Sequence, residues 1–159
     1  MKHDARTALA TLCLMLCIYA CPGDALAKHL PASSIPAAML IEPAALAAEL
    51  KSAGRAKPLV LQVGFHTLYE EAHIAGAEYA GPAAEEAGLR ELGLRVKSLP
   101  KDADIVIYCG CCPWSHCPNI AAAFDRLRSL GFTHVRVLHL ADNFGADWVD
   151  KGYPVASAR

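Results

Sequence analysis

The sequence predicts an α/β domain with a mostly parallel central sheet flanked by helices, and two kinds of observation predict it. Short apolar runs rich in β-branched residues, 58–63 (PLVLQV) and 105–108 (IVIY), have the composition of strands covered on both faces. After them apolar residues recur at helical spacing, most clearly Ile120, Ala123, Phe124, Leu127 and Leu130, and Gly131 follows as a stop. A strand, that helix and a further apolar run at 134–140 (HVRVLHL) come in succession, which is the order of a right-handed parallel crossover.

From the start of the chain, Lys2 and Arg6 precede an apolar run at 7–20, Pro22 and Gly23 interrupt any helix, and Ala25, Leu26 and Ala27 form an A-x-A cleavage pattern. Residues 1–27 are therefore expected to be a signal peptide cut after Ala27, which places the mature protein in the periplasm or outside the cell. The apolar run is short for a membrane span and nothing later replaces it, so no span is expected. The alternative takes residues 18–21 (IYAC) as a lipoprotein box, with a lipid anchor on Cys21. Residues 28–37 (KHLPASSIPA) read as a flexible arm, and 38–157 as the folded domain.

Within the domain, 39–41 (MLI) is a short strand, and a helix opens at Pro43, carries Leu46 and Leu50 four apart, and ends before Gly54. The stretch 81–99 mixes Ala, Glu and Leu with Gly88 and Gly93 and reads as a broken helix. The last run, if it alternates, puts Val135, Val137 and His139 on one face.

Charge excludes one class of partner. With 15 Lys and Arg against 16 Asp and Glu, and no basic stripe, nucleic acid is not expected to bind. Of seven cysteines, Cys13, Cys17 and Cys21 fall in the leader, and Cys109, Cys111, Cys112 and Cys117 crowd into nine positions reading CGCCPWSHC. In an oxidising compartment so tight a cluster is a local disulfide site, a metal site or a reactive sulfur centre.

Several segments, taken in order, resemble the rhodanese family. Residues 71–77 (EAHIAGA) resemble its G-H-I-P-G-A segment, with Ala72 and Ala75 in place of the first glycine and the proline. Residues 105–109 (IVIYC) are similar to the strand that delivers the family's catalytic cysteine. Residues 130–132 (LGF), the strand after them, and Trp148 followed by 152–155 (GYPV) complete a likeness that covers about 38–157. The resemblance implies a rhodanese-like fold and sulfurtransferase activity, with Cys109 carrying a persulfide between a donor such as thiosulfate and a thiophilic acceptor. It implies that Gly110, Pro113, Trp114, Ser115 and His116 form the loop around that sulfur, that His73 and Gly76 are structural, and that Trp148 packs in the core. The chain departs from the family in three places. Gln62 and Gly64 stand where an Asp and an Arg are usual, Ala141 and Asp142 replace a Gly-Gly, and the loop after Cys109 is longer and richer in cysteine.

The residues themselves support a sulfur nucleophile. A cysteine acts as its thiolate, which free backbone amides and a helix N-terminus favour. Cys109 ends a buried strand, and the loop must curl back to a helix starting near Pro118 or Asn119. Phosphatase or arsenate chemistry is not expected, because no arginine lies between Cys109 and Asn119 to grip an oxyanion. No cofactor is expected; the partners are a small sulfur donor or acceptor, or a periplasmic thiol protein. For the extra cysteines three alternatives stand open: Cys111, Cys112 or Cys117 resolves a Cys109 persulfide, two of them form a structural disulfide, or Cys111, Cys112, His116 and Cys117 hold a soft metal in a module without turnover. Trp114 either covers the loop or packs on the domain. Residues 143–145 (NFG) lie where α/β sheets bind ligands, and His139 is expected near the same edge, whereas His66 and His134 read as fillers.

Overall fold

The computed structural model describes residues 31–54 and 56–158; the expected signal peptide, its cleavage point and Cys21 lie outside the described residues. In chain order the elements are β1 (Leu40–Ile41), α1 (Pro43–Lys51), β2 (Leu59–Gln62), α2 (His66–Glu71), β3 (His73–Ile74), β4 (Glu78–Tyr79), α3 (Glu86–Val96), β5 (Ile105–Tyr108), α4 (Pro118–Ser129), β6 (Val135–Leu138) and β7 (Val155–Ala156). Five strands form one parallel sheet in the order β1-β6-β5-β2-β4, and β3 pairs with β7 antiparallel beside it. The expected α/β class and parallel sheet are what the fold has.

Alternation along β5 divides the core. Ile105 and Ile107 face α3 and α4 and pack with Leu92, Val96, Ile120, Leu127 and Phe132. Val106 and Tyr108 face the other side, with Leu46, Ile74, Leu138 and Trp148. All four β5 residues are buried, because the strand is the middle of the sheet and each face is covered. Trp148 is fully buried, and its indole N–H donates to the Pro154 carbonyl at 3.0 Å, so the expected core tryptophan also ties the chain end down.

Three expectations need correction. The stretch expected as a broken helix contains one unbroken helix, α3, with Gly88 and Gly93 inside it. Gly88 is there for space: a Cβ at that position would lie 2.1 Å from the Pro82 carbonyl oxygen, so the helix packs directly on the preceding loop. β6 alternates as expected, with Val135 and Val137 on the α3/α4 side and Leu138 on the other, but the strand does not reach His139. It ends at Leu138, both Val137 and Leu138 are buried, and His139 turns away to pair through Nδ1 with Glu42 at 2.6 Å. Residues 31–39, read as an arm running into a strand, carry two 3₁₀ turns at Ala32–Ser34 and Ala37–Met39, and Ala32 and Ile35 are buried on the α3/α4 side of the sheet. Among the described residues no helix is long and apolar enough to cross a membrane.

The Gly88 contact yields a prediction. Gly88→Ala should destabilise the domain by about 1–3 kcal/mol through overpacking, despite alanine's better helix propensity. Urea unfolding of the two proteins measures this; unchanged or raised stability would show that the loop at Pro82 gives way freely.

Candidate functional site

Cys109 lies one residue beyond the end of β5. By the alternation of that strand its side chain belongs to the α3/α4 side, and it is only 3 % exposed. Gly110 then turns the chain with φ +92°, and a Cβ there would sit 3.0 Å from the Phe144 side chain, so the position needs glycine twice over. The loop continues through a 3₁₀ turn at Trp114–His116, which is anchored by the Trp114 amide donating to the Leu140 carbonyl at 3.0 Å. Cys117 is the residue that caps α4, with Pro118 at the first helical position.

The place of the missing charge pair is filled by an amide. Gln62 is 2 % exposed, donates from Nε2 to the Cys109 carbonyl at 2.9 Å and accepts the Gly64 N–H on Oε1 at 3.2 Å. Both ends of the side chain are used, so burying it is not costly. Gly64 leaves no room for a side chain, since a Cβ would lie 2.6 Å from the Cys109 sulfur. Sequence reasoning noticed Gln62 and Gly64 only as departures, and missed Asn119. That residue is buried; its Oδ1 accepts the Ala84 N–H at 2.8 Å and its Nδ2 points at the Cys109 sulfur at 3.5 Å. The available signal was a polar residue one helical turn before Ala123 on the buried face of α4.

The four cysteine sulfurs converge, and all four thiols are free. Cys109 and Cys111 are 3.2 Å apart, as are Cys111 and Cys112. Cys109, Cys111 and Cys117 all lie within 4.8 Å of one another. His116, expected among the ligands of a metal alternative, stands outside this group: it is exposed and its Nδ1 pairs with Ser115 Oγ at 3.0 Å.

The thiolate is placed differently from the expectation. The loop is long enough that α4 begins at Pro118, so its first amides, those of Asn119 and Ile120, face the Cys117 sulfur and not that of Cys109. The hydrogen bond from Cys109, helped by these amides and opposed by burial, draws Cys117 down to about 6. Cys109 is pushed up by donating to Cys117 and by burial, with one amide, that of Cys111, working the other way. Cys112 is pushed up to about 12, chiefly by burial. Cys109 and Cys117 thus share a proton, with the negative charge resting on the sulfur that the helix start can solvate.

A cleft of about 380 Å³ opens onto this cluster. Cys109, Gly110 and Cys111 line one wall; Leu68, Tyr108, Phe144 and Val149 make it largely apolar, and Gln62, Glu71 and Asn143 are its polar groups. Residues 143–145, expected near the ligand edge, therefore do line the cleft. Among the described residues no lysine, arginine or histidine does. Trp114 packs on the domain, half-buried against the α3/α4 core and edge-on to His139 at 5.8 Å. Pro113 leads into the same turn, with Ser115 on it. His73 is buried away from the cleft, stacked on Tyr69 at 3.9 Å with Nδ1–H donating to the Tyr69 carbonyl, and Gly76 takes φ +85° between β3 and β4.

Solved structures share this architecture. The solution structure of the rhodanese-like domain of the Alr3790 protein from Anabaena sp. is 26% identical, with 75% of this chain and 79% of that chain covered and a TM-score of 0.56. The chain has the rhodanese-like fold. The BH2092 protein from Bacillus halodurans aligns at 23% identity over 74% of this chain and 76% of that one, TM-score 0.57. A rhodanese-related protein from Thermoplasma volcanium aligns at 23% identity over 73% and 95%, TM-score 0.51. No protein-family model and no curated protein matches the sequence. The rhodanese-like domain thus presents a cysteine at the end of its central strand, in a loop holding three further thiols.

The proton shared within the cluster is measurable. Thiolate absorbance of the reduced domain, followed against pH, should show its first step near 6, below the ordinary thiol range. Cys117→Ser should move that step upward by removing the sulfur that the helix start favours. An unmoved first step would assign the thiolate elsewhere.

Proposed function

We propose that this rhodanese-like domain is exported and carries sulfur as a persulfide on Cys109, with Cys111 as the thiol that resolves it. The observation that supports the reading best is the 3.2 Å separation of the two sulfurs where both line the cleft. In the first step Cys117 takes the Cys109 proton, and the Cys109 thiolate attacks the outer sulfur of a hydropersulfide, R–S–SH. The donor's S–S bond breaks, a new S–S bond forms on Cys109, and the thiol R–SH departs with the Cys109 proton. In the second, the Cys111 sulfur attacks the inner sulfur of that persulfide, closing a Cys109–Cys111 disulfide and releasing hydrogen sulfide. An external dithiol protein of the periplasm would reduce the disulfide and return both thiols. Closing from 3.2 Å to a bond near 2.05 Å asks for a shift of only about 1.2 Å, mostly by the exposed Cys111.

The cleft also bears on the donor. Thiosulfate, a dianion, would meet a largely apolar wall with no cation among the described lining residues. An uncharged organic hydropersulfide loses no solvation of that kind. The second class of reading, a module without turnover, draws on the same free thiols, and the experiment below separates the two.

Reduced protein treated with benzyl hydropersulfide should release hydrogen sulfide and lose the mass of two hydrogens as the Cys109–Cys111 disulfide closes. Cys111→Ser should stop at the persulfide, gaining the mass of one sulfur atom and releasing little hydrogen sulfide, and Cys109→Ser should abolish both the release and, when combined with Cys111→Ser, the gain. A gain in the Cys111→Ser protein that survives Cys109→Ser but not Cys112→Ser would make Cys112 the nucleophile, and the absence of both hydrogen sulfide release by the unaltered protein and sulfur gain by Cys111→Ser would remove the sulfur-carrier reading. In a parallel series, loading from benzyl hydropersulfide should outpace loading from thiosulfate by roughly tenfold or more, the scale that the lost solvation of a dianion supplies in an apolar cleft. Equal rates would show that the donor's charge does not govern its choice.

A further inference from the structure

We propose that, when its thiols are reduced, the cluster of Cys109, Cys111 and Cys117 is a three-sulfur site for a soft d10 cation, copper(I) in the first instance. The inference is independent of the sulfur-carrier reading, because it rests only on how three sulfurs are placed.

Their spacing suits one ion. Three thiolates around a metal at about 2.3 Å in a plane are roughly 4 Å apart. Here the sulfurs all lie within 4.8 Å of one another, with one pair at 3.2 Å. Bringing them to equal separation takes small side-chain rotations, because the backbone has already folded residues 109–117 into a ring. The donor set selects the ion: it contains sulfur alone, with neither carboxylate nor imidazole, and soft thiolates favour copper(I) over hard cations. Zinc in a closed structural site takes four ligands, and a three-ligand arrangement answers better to the low coordination number of copper(I).

The surroundings have the features of a support shell. Asn119 Nδ2 points at the Cys109 sulfur, and the Asn119 amide group is itself fixed by the Ala84 N–H. The Asn119 and Ile120 backbone amides face Cys117. These donors partly offset the negative charge that several thiolates place in a buried site. Cys109 and Cys117 are buried and Cys111 is exposed at the cleft, so an ion arriving from solvent meets Cys111 first and ends in a sheltered position. Cys112 is 3.2 Å from Cys111 but falls outside the mutual triangle, and His116 is turned to Ser115. The ligand set therefore differs from the one expected from the sequence, with Cys109 in place of Cys112 and His116. Because the Cys109 sulfur serves both the persulfide and the ion, each state excludes the other.

The test is anaerobic titration of the reduced, full-length protein with copper(I) against a competing chelator such as bathocuproine disulfonate, with no sulfur donor present. One copper per chain should be retained, with thiolate-to-copper absorption in the near ultraviolet. Cys111→Ser, an exposed position that leaves the core intact, should weaken retention by roughly 100-fold or more, whereas Cys112→Ser and His116→Ala should change it by less than about threefold. Copper stripped from the unaltered protein at the first equivalent of chelator would overturn the site. So would a Cys112→Ser or His116→Ala loss as large as that of Cys111→Ser. Tighter zinc binding abolished equally by all four cysteine substitutions would replace it with a four-sulfur site. Failure of any of these leaves persulfide loading untouched, and failure of loading leaves the copper titration untouched.

Discussion

The Gln62 side chain joins the ends of two neighbouring strands, and the geometry of the sulfur loop depends on it. β2 and β5 run parallel in register, Gln62 beside Tyr108, and their backbone pairing continues through the Val63 N–H to the Tyr108 carbonyl. Past that point ladder bonds give out, and the chain must diverge to make a cleft. Gln62 carries the connection one residue further by taking the Cys109 carbonyl and returning a bond to Gly64. A charged pair here would have to be stripped of water and given a shell of further hydrogen bonds, whereas a neutral amide satisfies both partners itself. The arrangement fixes the Cys109 backbone while leaving its sulfur free to face the other thiols.

Convergence of the four sulfurs follows from two constraints acting at opposite ends of the loop. At one end the pleat of β5 sets which side Cys109 takes. At the other, Cys117 sits at the start of α4, where the nearby Asn119 and Ile120 amides lower its thiol. Gly110 turns sharply enough to bring Cys111 back over Cys109, and the 3₁₀ turn hung on Leu140 returns the chain to Cys117. A charge on any one of these sulfurs is shared with its neighbours, so the chemistry of the loop belongs to the group and not to a single residue.

Much of this was legible in the sequence, for reasons that can be named. β2, β5 and α4 were readable because each is long or apolar enough for its period to stand out, and Cys109 followed from the end of β5. The sequence could not report that Gly88 is a packing contact, since a glycine inside a helix looks like a break until the neighbour at Pro82 is known. Nor could it say which cysteine receives the helix amides, because that depends on the loop length measured in space. Asn119 was hidden for a related cause: its partners, Ala84 and Cys109, are brought together only by the sheet order. The alternatives for the extra cysteines narrowed once distances replaced spacings, and His116 dropped from the metal set by facing Ser115.

The 3₁₀ turn at Ala32–Ser34 packs against the turn at Trp114–His116, with Ala32 and Ile35 buried in the same core as Cys109 and Cys117. The opening of the described chain is thereby a brace for the sulfur loop, some eighty positions away in sequence by the numbering itself. A force or a tether applied just upstream of residue 31 would be felt first at the loop, before the sheet. Anything that engages the beginning of the domain thus has a mechanical route to the spacing of its thiols.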